Sequence, residues 1–215
     1  MSATNRYVEK VKLNGLMLKF IDNQTKAICL IAVQQNGLAL KYVKEQTEDI
    51  CMKAIQSNWL ALQYVKEQTH ALCLEAVKRH WLALQYVKNQ TTEIIVEAIK
   101  NNGAALKYVL PQTNKLYIEA VNVNISALIY IQDANILKNV CNTLNILYLP
   151  ANKNHRDLIL KFVDGAYRCW IGCQEDISVE QLIWRIYNTD GGLQNNPHRQ
   201  HYIDFLQKHN LYTVA

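Results

Sequence analysis

Four side chains near the C-terminus are of the types that bind zinc: Cys169, Cys173, His198 and His201. The spacing of the cysteines suits a zinc site, but the two histidines are closer together than the histidines of zinc fingers usually are. Trp170 and Ile171 lie between the cysteines and indicate that both belong to an apolar helix. The sequence therefore predicts no metal site, and it predicts no cofactor.

The sequence His155-Arg156-Asp157-Leu158 matches the start of the catalytic loop of protein kinases. However, Phe162 stands where that loop carries asparagine, and the chain has neither a glycine-rich phosphate loop nor an Asp-Phe-Gly motif. Spacing alone assembles no Ser/His/Asp or Cys/His set either. We therefore predict no catalytic residue and a protein that is not an enzyme. The alternative is an enzyme with its site near the C-terminal part.

Three lysines, Lys44, Lys66 and Lys88, recur at equal intervals and could contact a phosphate backbone. They fall in the last turn of predicted helices, where the helix dipole favours cations, and Glu45 and Glu67 follow two of them. A solvated face that stabilises the helices is the preferred interpretation. A nucleic-acid-binding surface along these lysines is the alternative.

These lysines belong to a pattern of 22 residues that recurs six times in the first two-thirds of the chain. Five of the six units begin with the threonine of a Gln-Thr pair and repeat an alanine, a leucine and a tyrosine, while the first unit has Phe20 at the tyrosine position. The threonines are Thr25, Thr47, Thr69, Thr91 and Thr113, and the tyrosines are Tyr42, Tyr64, Tyr86, Tyr108 and Tyr130. A fixed period of this size is typical of repeat proteins, in which each unit buries its apolar side against its neighbours.

Two helical architectures fit this period. Because 22 is twice eleven, one long helix in a right-handed supercoil is conceivable. Leu60 and Tyr64, however, widen the apolar arc of such a helix to roughly 220°, which is too broad for a coiled coil. Asn36-Gly37 and Asn102-Gly103 also indicate helix ends in the left-handed conformation. We therefore predict two short helices per unit, at about residues 48–57 and 59–67 of the third unit.

The predicted fold class is all-α, an α-solenoid of stacked short antiparallel helix pairs with a non-repetitive helical C-terminal cap. Residues 3–134 form the six repeats. Residues 135–165 are predicted to form a degenerate seventh repeat with a loop insertion, since residues 159–163 resemble residues 39–43. Residues 166–215 form the predicted cap.

The repeat consensus T-x-x-I-C-x-x-A-V-x-x-N-G-x-A-L-x-Y-V-x-x-Q resembles a family of tandem short helical repeats of unknown function. That family occurs mainly in giant DNA viruses of amoebae (mimivirus-like), and the match covers about residues 3–134. The resemblance implies a viral or virus-derived repeat protein but no particular activity. The chain departs from the consensus at Trp59 and Trp81, which occupy its glycine position.

The two tryptophans stand on consecutive units, where they would form an aromatic shelf at the corner between helices. Tryptophan is frequent among the residues that dominate binding energy, so Trp59 and Trp81 are candidate anchors for a protein partner, with Asn58 and His80 beside them as polar contacts. The alternative is that both rings fill gaps between units.

Composition places the chain in a broad class. It has no apolar run long enough to cross a membrane and no apolar signal-peptide core near its start, and its six cysteines do not resemble a disulfide framework. The net charge of +5 is too small to indicate nucleic-acid binding by itself. We therefore expect an intracellular protein, in the host cytoplasm or the virion, that acts as a non-enzymatic protein-protein interaction scaffold for a host or viral partner. A structural component of an oligomer is a further alternative.

Overall fold

The computed structural model describes residues 3–110, 113–151, 157–171, 174–188 and 199–212. The chain divides into two compact units, Met1–Tyr130 and Ile131–Ala215.

The first unit consists of six pairs of short helices packed in tandem, each pair an α-helix followed by a 3₁₀ helix. The α-helices are α1 (Ala3–Leu13), α2 (Lys26–Gln35), α3 (Glu48–Ser57), α4 (His70–Arg79), α5 (Thr92–Asn101) and α6 (Asn114–Val123). The 3₁₀ helices are η1 (Gly15–Phe20), η2 (Gly37–Tyr42), η3 (Trp59–Tyr64), η4 (Trp81–Tyr86), η5 (Gly103–Tyr108) and η6 (Ile125–Tyr130). The prediction of a helical repeat is confirmed.

Side chains at fixed positions set the ends of these helices. In α4, the Oγ1 of Thr69 accepts a hydrogen bond from the main-chain N–H of Leu72 at 3.3 Å. In each of these repeats, a single residue ends the α-helix and also starts the following 3₁₀ helix. Between α2 and η2 this residue is Asn36, which has φ −148° and accepts a hydrogen bond from the N–H of Leu38 at 3.0 Å. The helix ends are thus extended, not left-handed as predicted, because the asparagine caps the following helix.

The repeated apolar residues form the core of the first unit. Ala54 and Leu62 are both fully buried, as are their counterparts in the neighbouring units. The second helix of the third unit ends at Tyr64, earlier than predicted, because the N–H of Val65 already bonds to the carbonyl of Leu62. This i→i+3 bond is the hydrogen bond of the tight 3₁₀ turn.

The second unit contains a sheet as well as helices. Its elements are α7 (Ala134–Leu144), β1 (Ile146–Leu149), β2 (Leu158–Val163), β3 (Ala166–Ile171), β4 (Gln174–Ser178), α8 (Val179–Asn188) and α9 (Gln200–Lys208). The four strands form an antiparallel sheet in the order β1-β2-β3-β4.

The prediction that the whole chain is all-α is therefore wrong. Residues 159–163 lie in β2 and not in a repeat helix, and strands β3 and β4 occupy the start of the predicted helical cap. The physical reason is the Asp164-Gly165 pair, whose φ values of 50° and 84° make a two-residue turn between β2 and β3. Asp-Gly between two apolar runs is a strong hairpin signal.

The core of the second unit lies between the sheet and helices α8 and α9. Leu158, Leu160 and Cys169 are fully buried from the strands, and they form one cluster with residues such as Leu182 and Leu206 from the helices. Residues 189–198 of the predicted cap lie outside the described residues.

Candidate functional site

The glutamine that ends each repeat joins two successive units. Gln68 donates from Nε2 to the carbonyl of Tyr86 at 2.9 Å, and its Oε1 accepts from the N–H of Lys88 at 2.9 Å. Gln24, Gln46 and Gln90 make the same pair of bonds to their following units. We call this set the glutamine ladder; Gln112 lies outside the described residues. The sequence showed these glutamines as a fixed feature, but not their partners.

A lysine stripe, formed by Lys44, Lys66 and Lys88, runs beside the glutamine ladder. The three lysines lie two residues beyond the ends of η2, η3 and η4, not in the last turn of a helix as predicted. Lys66 Nζ donates to the carbonyl of Lys44 at 2.9 Å, and Lys88 Nζ donates to the carbonyl of Lys66 at 3.1 Å. Lys44 Nζ likewise donates to the carbonyl of Asp22 at 2.9 Å. Each ammonium group is therefore held against the main chain of the preceding unit.

The buried cysteines belong to the same network. Cys29, Cys51 and Cys73 each donate from Sγ to the Oε1 of a ladder glutamine, at distances of 3.6 to 3.8 Å. Burial raises the pKa of all three thiols. Neutral, buried thiols of this kind have little of the thiolate character that cysteine reactivity requires.

The structure brings three of the four predicted partner-binding residues into one aromatic row. The rings of Trp59 and His80 are stacked, with centroids 4.6 Å apart and an angle of 13° between their planes. His80 also lies 6.0 Å from Trp81, ring centroid to centroid. Trp59 and Trp81 are both partly exposed. We call Trp59, His80 and Trp81 the aromatic row.

The two polar residues of the predicted site have local structural roles. Asn58 Oδ1 accepts from the N–H of Leu60 at 3.0 Å, and His80 Nδ1 accepts from the N–H of Leu82 at 3.2 Å. Because Nδ1 accepts a hydrogen bond, the proton of the neutral ring lies on Nε2. Asn58 thus caps η3, while His80 caps η4 and also stacks on Trp59.

The tryptophans change how neighbouring units pack. A Cβ atom at Gly37 would collide with the carbonyl oxygen of Ala54, and one at Gly103 would come within 2.6 Å of the nitrogen of Ala127. Glycine therefore lets successive main chains approach closely at these positions. The 3₁₀ helices pack less closely around Trp59 and Trp81 than around these glycines. The rings both fill the wider gap and reach the surface.

Two tyrosines extend the aromatic row into the following units. Trp59 lies 6.5 Å from Tyr86 and Trp81 lies 6.1 Å from Tyr108, measured between ring centroids. Both tyrosines are partly exposed. Sequence reasoning placed them in the repeat register but not in the site, because ring directions in a 3₁₀ helix cannot be deduced from spacing.

The residues considered for metal binding and catalysis have other environments. Cys169 is fully buried in strand β3, not in a helix as predicted, and His201 lies on α9. Cys173 and His198 fall outside the described residues. The described part of the chain contains no group of three or more His, Cys, Asp or Glu side chains that could hold a metal ion. Asp157 accepts from the hydroxyl of Tyr148 at 2.6 Å and from the N–H of Ala151 at 2.9 Å.

These bonds give Asp157 a structural role at the loop between β1 and β2. Burial, together with the hydrogen bond to Asp157, raises the pKa of Tyr148.

A membrane-spanning helix is not found in the part of the chain that the structure describes, since its helices are too short or too polar.

Comparison with known proteins identifies the repeat but not its activity. Residues 26–68 and 72–112 both match the model of one family, a domain of unknown function (DUF4116). Each match spans about two of the 22-residue units. No curated protein matches the chain. No solved structure matches it either. The first unit is thus similar, twice in tandem, to a repeat family whose function is unknown.

Proposed function

We propose that the chain is an α-solenoid that acts as a non-enzymatic scaffold for protein-protein interaction, with the aromatic row as its main contact. The main observation in favour of this proposal is that Trp59 and Trp81 replace glycine in two consecutive repeats and are partly exposed. Partly exposed tryptophan and tyrosine rings offer large, rigid contact areas, which is why they dominate many binding surfaces. Tandem packing of short helices supplies the extended surface on which repeat proteins hold their partners.

The lysine stripe supports the alternative, nucleic-acid binding, less well. Lys44, Lys66 and Lys88 each use one ammonium proton to bond a main-chain carbonyl of the preceding unit. Glu45 and Glu67 line the same grooves as Lys44 and Lys66. A polyanion that followed this stripe would meet carboxylates of its own sign beside the lysines.

A comparison of two variants tests the proposed function. Trp59→Leu combined with Trp81→Leu keeps apolar volume in the gap between units but removes the stacked rings. Trp184→Leu is the matched control, because Trp184 is 60% exposed and lies on α8, outside the repeats. The measurement is affinity capture with the full chain from native cells, with and without nuclease, followed by mass spectrometry.

We expect an identified protein that the wild-type chain and Trp184→Leu retain, and that the double variant loses by a factor of about ten or more, as for a pair of dominant contact residues. Capture that survives in the double variant, while circular dichroism shows an intact fold, would remove the aromatic row from the interface. Capture that requires nucleic acid would favour the alternative function.

A further inference from the structure

The tyrosines that end the 3₁₀ helices extend the aromatic row along the first unit. Each is partly exposed at the last position of its helix: Tyr42, Tyr64, Tyr86, Tyr108 and Tyr130. Trp59 and Trp81 contact the rings of Tyr86 and Tyr108. We call this surface the 3₁₀ face. It presents aromatic rings on five consecutive units.

The charges on the 3₁₀ face have one sign and lie apart from its centre. None of the six 3₁₀ helices η1 to η6 contains an aspartate or glutamate. Lys41 Nζ lies 4.7 Å from the ring centroid of Tyr42, and Lys107 Nζ lies 4.8 Å from that of Tyr130. Both ammonium groups thus lie against rings of this face.

The centre of the 3₁₀ face is neutral. Gln63 and Gln85 take the place of lysine in the two units that carry the tryptophans. Each glutamine bonds from Nε2 to a carbonyl of its own helix at 3.0 Å, so its amide is held against the main chain. The surface therefore consists of a neutral aromatic centre with Lys107 on one side and Lys41, followed by Lys19 over the ring of Phe20, on the other.

Nearby carboxylates do not cancel this pattern. Glu45 and Glu67 line the grooves at the N-terminal ends of the α-helices, together with Thr47 and Thr69. Glu75 on α4 pairs with Arg79 of the same helix at 2.7 Å. Among the described residues, no carboxylate forms an ion pair with Lys41 or Lys107, so both ammonium groups can meet an incoming negative charge.

From this arrangement we infer that the 3₁₀ face binds a protein segment with an apolar centre and acidic residues on both sides, an inference that rests on the proposed scaffold function. The apolar centre packs on Trp59, Trp81 and their tyrosines, and the acidic flanks meet Lys41 and Lys107. Buried aromatic contacts supply most of the affinity, while exposed charge pairs at the rim set the choice of partner.

The distance between the cations sets the length of the segment. Lys41 and Lys107 are three units apart, which corresponds to about 30 Å at the packing distance of neighbouring helices. An α-helix covers that distance with about 20 residues and an extended chain with about nine. A single-stranded nucleic acid would also stack on the rings, but its phosphates need cations along the whole track, and the centre here is neutral.

The test is selection from a library of random 20-residue peptides displayed on phage, with the full chain as bait. We expect the retained peptides to carry Asp or Glu on both sides of an apolar or aromatic centre. The reversal Lys41→Glu with Lys107→Glu should weaken their binding about tenfold, since it turns two attractions into repulsions. Lys53→Glu with Lys115→Glu, at exposed lysines of α3 and α6, changes the net charge equally and should have little effect.

Other outcomes separate this inference from the proposed function. Peptides without acidic flanks that still need Trp59 and Trp81 would overturn the inference and leave the scaffold function standing. If neither the lysine variant nor the tryptophan variant changes the binding of the retained peptides, both proposals for this face are wrong. A further case is a single-stranded oligothymidine that displaces the peptides. If Lys41→Glu with Lys107→Glu also weakens the binding of this oligothymidine, the face binds nucleic acid and not a protein segment. Selection of no peptide by a folded bait contradicts the inference.

Discussion

The glutamine ladder satisfies main-chain groups that the short helices themselves leave open. The carbonyl of Tyr86 and the N–H of Lys88 lie at the end of η4 and in the turn after it, beyond the reach of a regular helical partner. Gln68 bonds to both from the preceding unit. A partly buried amide thus does for two neighbouring units what hydrogen bonds do within one helix.

Replacing a ladder glutamine should therefore destabilise the first unit. Gln68→Ala leaves a carbonyl and an N–H of the main chain without their partner, and we expect a loss of about 1–3 kcal/mol in the free energy of unfolding. The measurement is a urea melt. The matched control is Gln63→Ala, whose exposed amide bonds only within its own helix and whose loss should stay within about 0.5 kcal/mol. Equal effects of the two variants would contradict the proposed role of the ladder.

At the scale of elements, the hairpin of the second unit depends on two residues with positive φ. Gly165 has φ 84°, and a Cβ atom there would meet no other atom within 4 Å. Any cost of a side chain at this position therefore comes from the backbone conformation and not from a collision. Asp164, at φ 50°, has the conformation that Asn and Asp tolerate best among residues with a side chain.

We expect Gly165→Ala to destabilise the second unit by about 1 kcal/mol, the usual cost of a left-handed conformation for a residue with a Cβ atom. Asp164→Asn is the control and should be nearly neutral, because asparagine adopts this conformation readily. Thermal unfolding followed by circular dichroism measures both. A neutral Gly165→Ala would show that the turn conformation differs from the one described.

Two side chains stabilise the start of α8. Ser178 and Gln181 form a capping box: Gln181 Oε1 accepts from the N–H of Ser178 at 3.0 Å, and Ser178 Oγ accepts from the N–H of Gln181 at 3.1 Å. A hydrogen bond from Ser178, followed in size by one from the main chain, lowers the pKa of Glu180. Ser178→Ala should cost about 0.5–2 kcal/mol of stability.

The same variant should raise the pKa of Glu180, since the larger of its two stabilising bonds is lost. A lowered pKa in the folded state adds stability above the unfolded pKa, and that stability is lost as the pH falls through the folded pKa. The contribution of Glu180 should thus shrink in Ser178→Ala under neutral conditions. NMR titration of the Glu180 carboxyl measures the shift, and an unchanged titration would rule out the bond to Ser178.

At the scale of the whole molecule, the two units differ in how far their sequence predicts them. Within Met1–Tyr130, every 22-residue repeat shows a similar pattern of residues, so the positions of Thr69, Ala54 and Leu62 could be assigned from their register alone. The aromatic row was predicted from Trp59 and Trp81, but Tyr86 and Tyr108 were missed because ring directions depend on the 3₁₀ backbone. In the second unit nothing repeats, and the hairpin signal of Asp164-Gly165 was missed because residues 159–163 resemble a repeat.

The repeated leucines form a core that neighbouring 22-residue repeats share. Leu62 is fully buried between units, so Leu62→Ala should cost about 2–5 kcal/mol through lost burial and the cavity left behind. Leu13→Ala is the control, because Leu13 is 83% exposed at the end of α1 and should contribute less than about 0.5 kcal/mol. Urea melts of the full chain measure both, and a small effect at Leu62 would mean that the core lies elsewhere.

The glutamine ladder also bears on how such a chain can change its length during evolution. Gln24, Gln46, Gln68 and Gln90 each bond to the next unit in the same way, whatever the residues that vary between them. Duplication or deletion of one whole 22-residue block, such as residues 47–68, would therefore rejoin a glutamine to an equivalent carbonyl and N–H. A gene rearrangement of any other length would leave those groups unmatched at the junction. Recombination between repeats can thus lengthen or shorten the array in whole 22-residue steps while every new junction already has its hydrogen bonds.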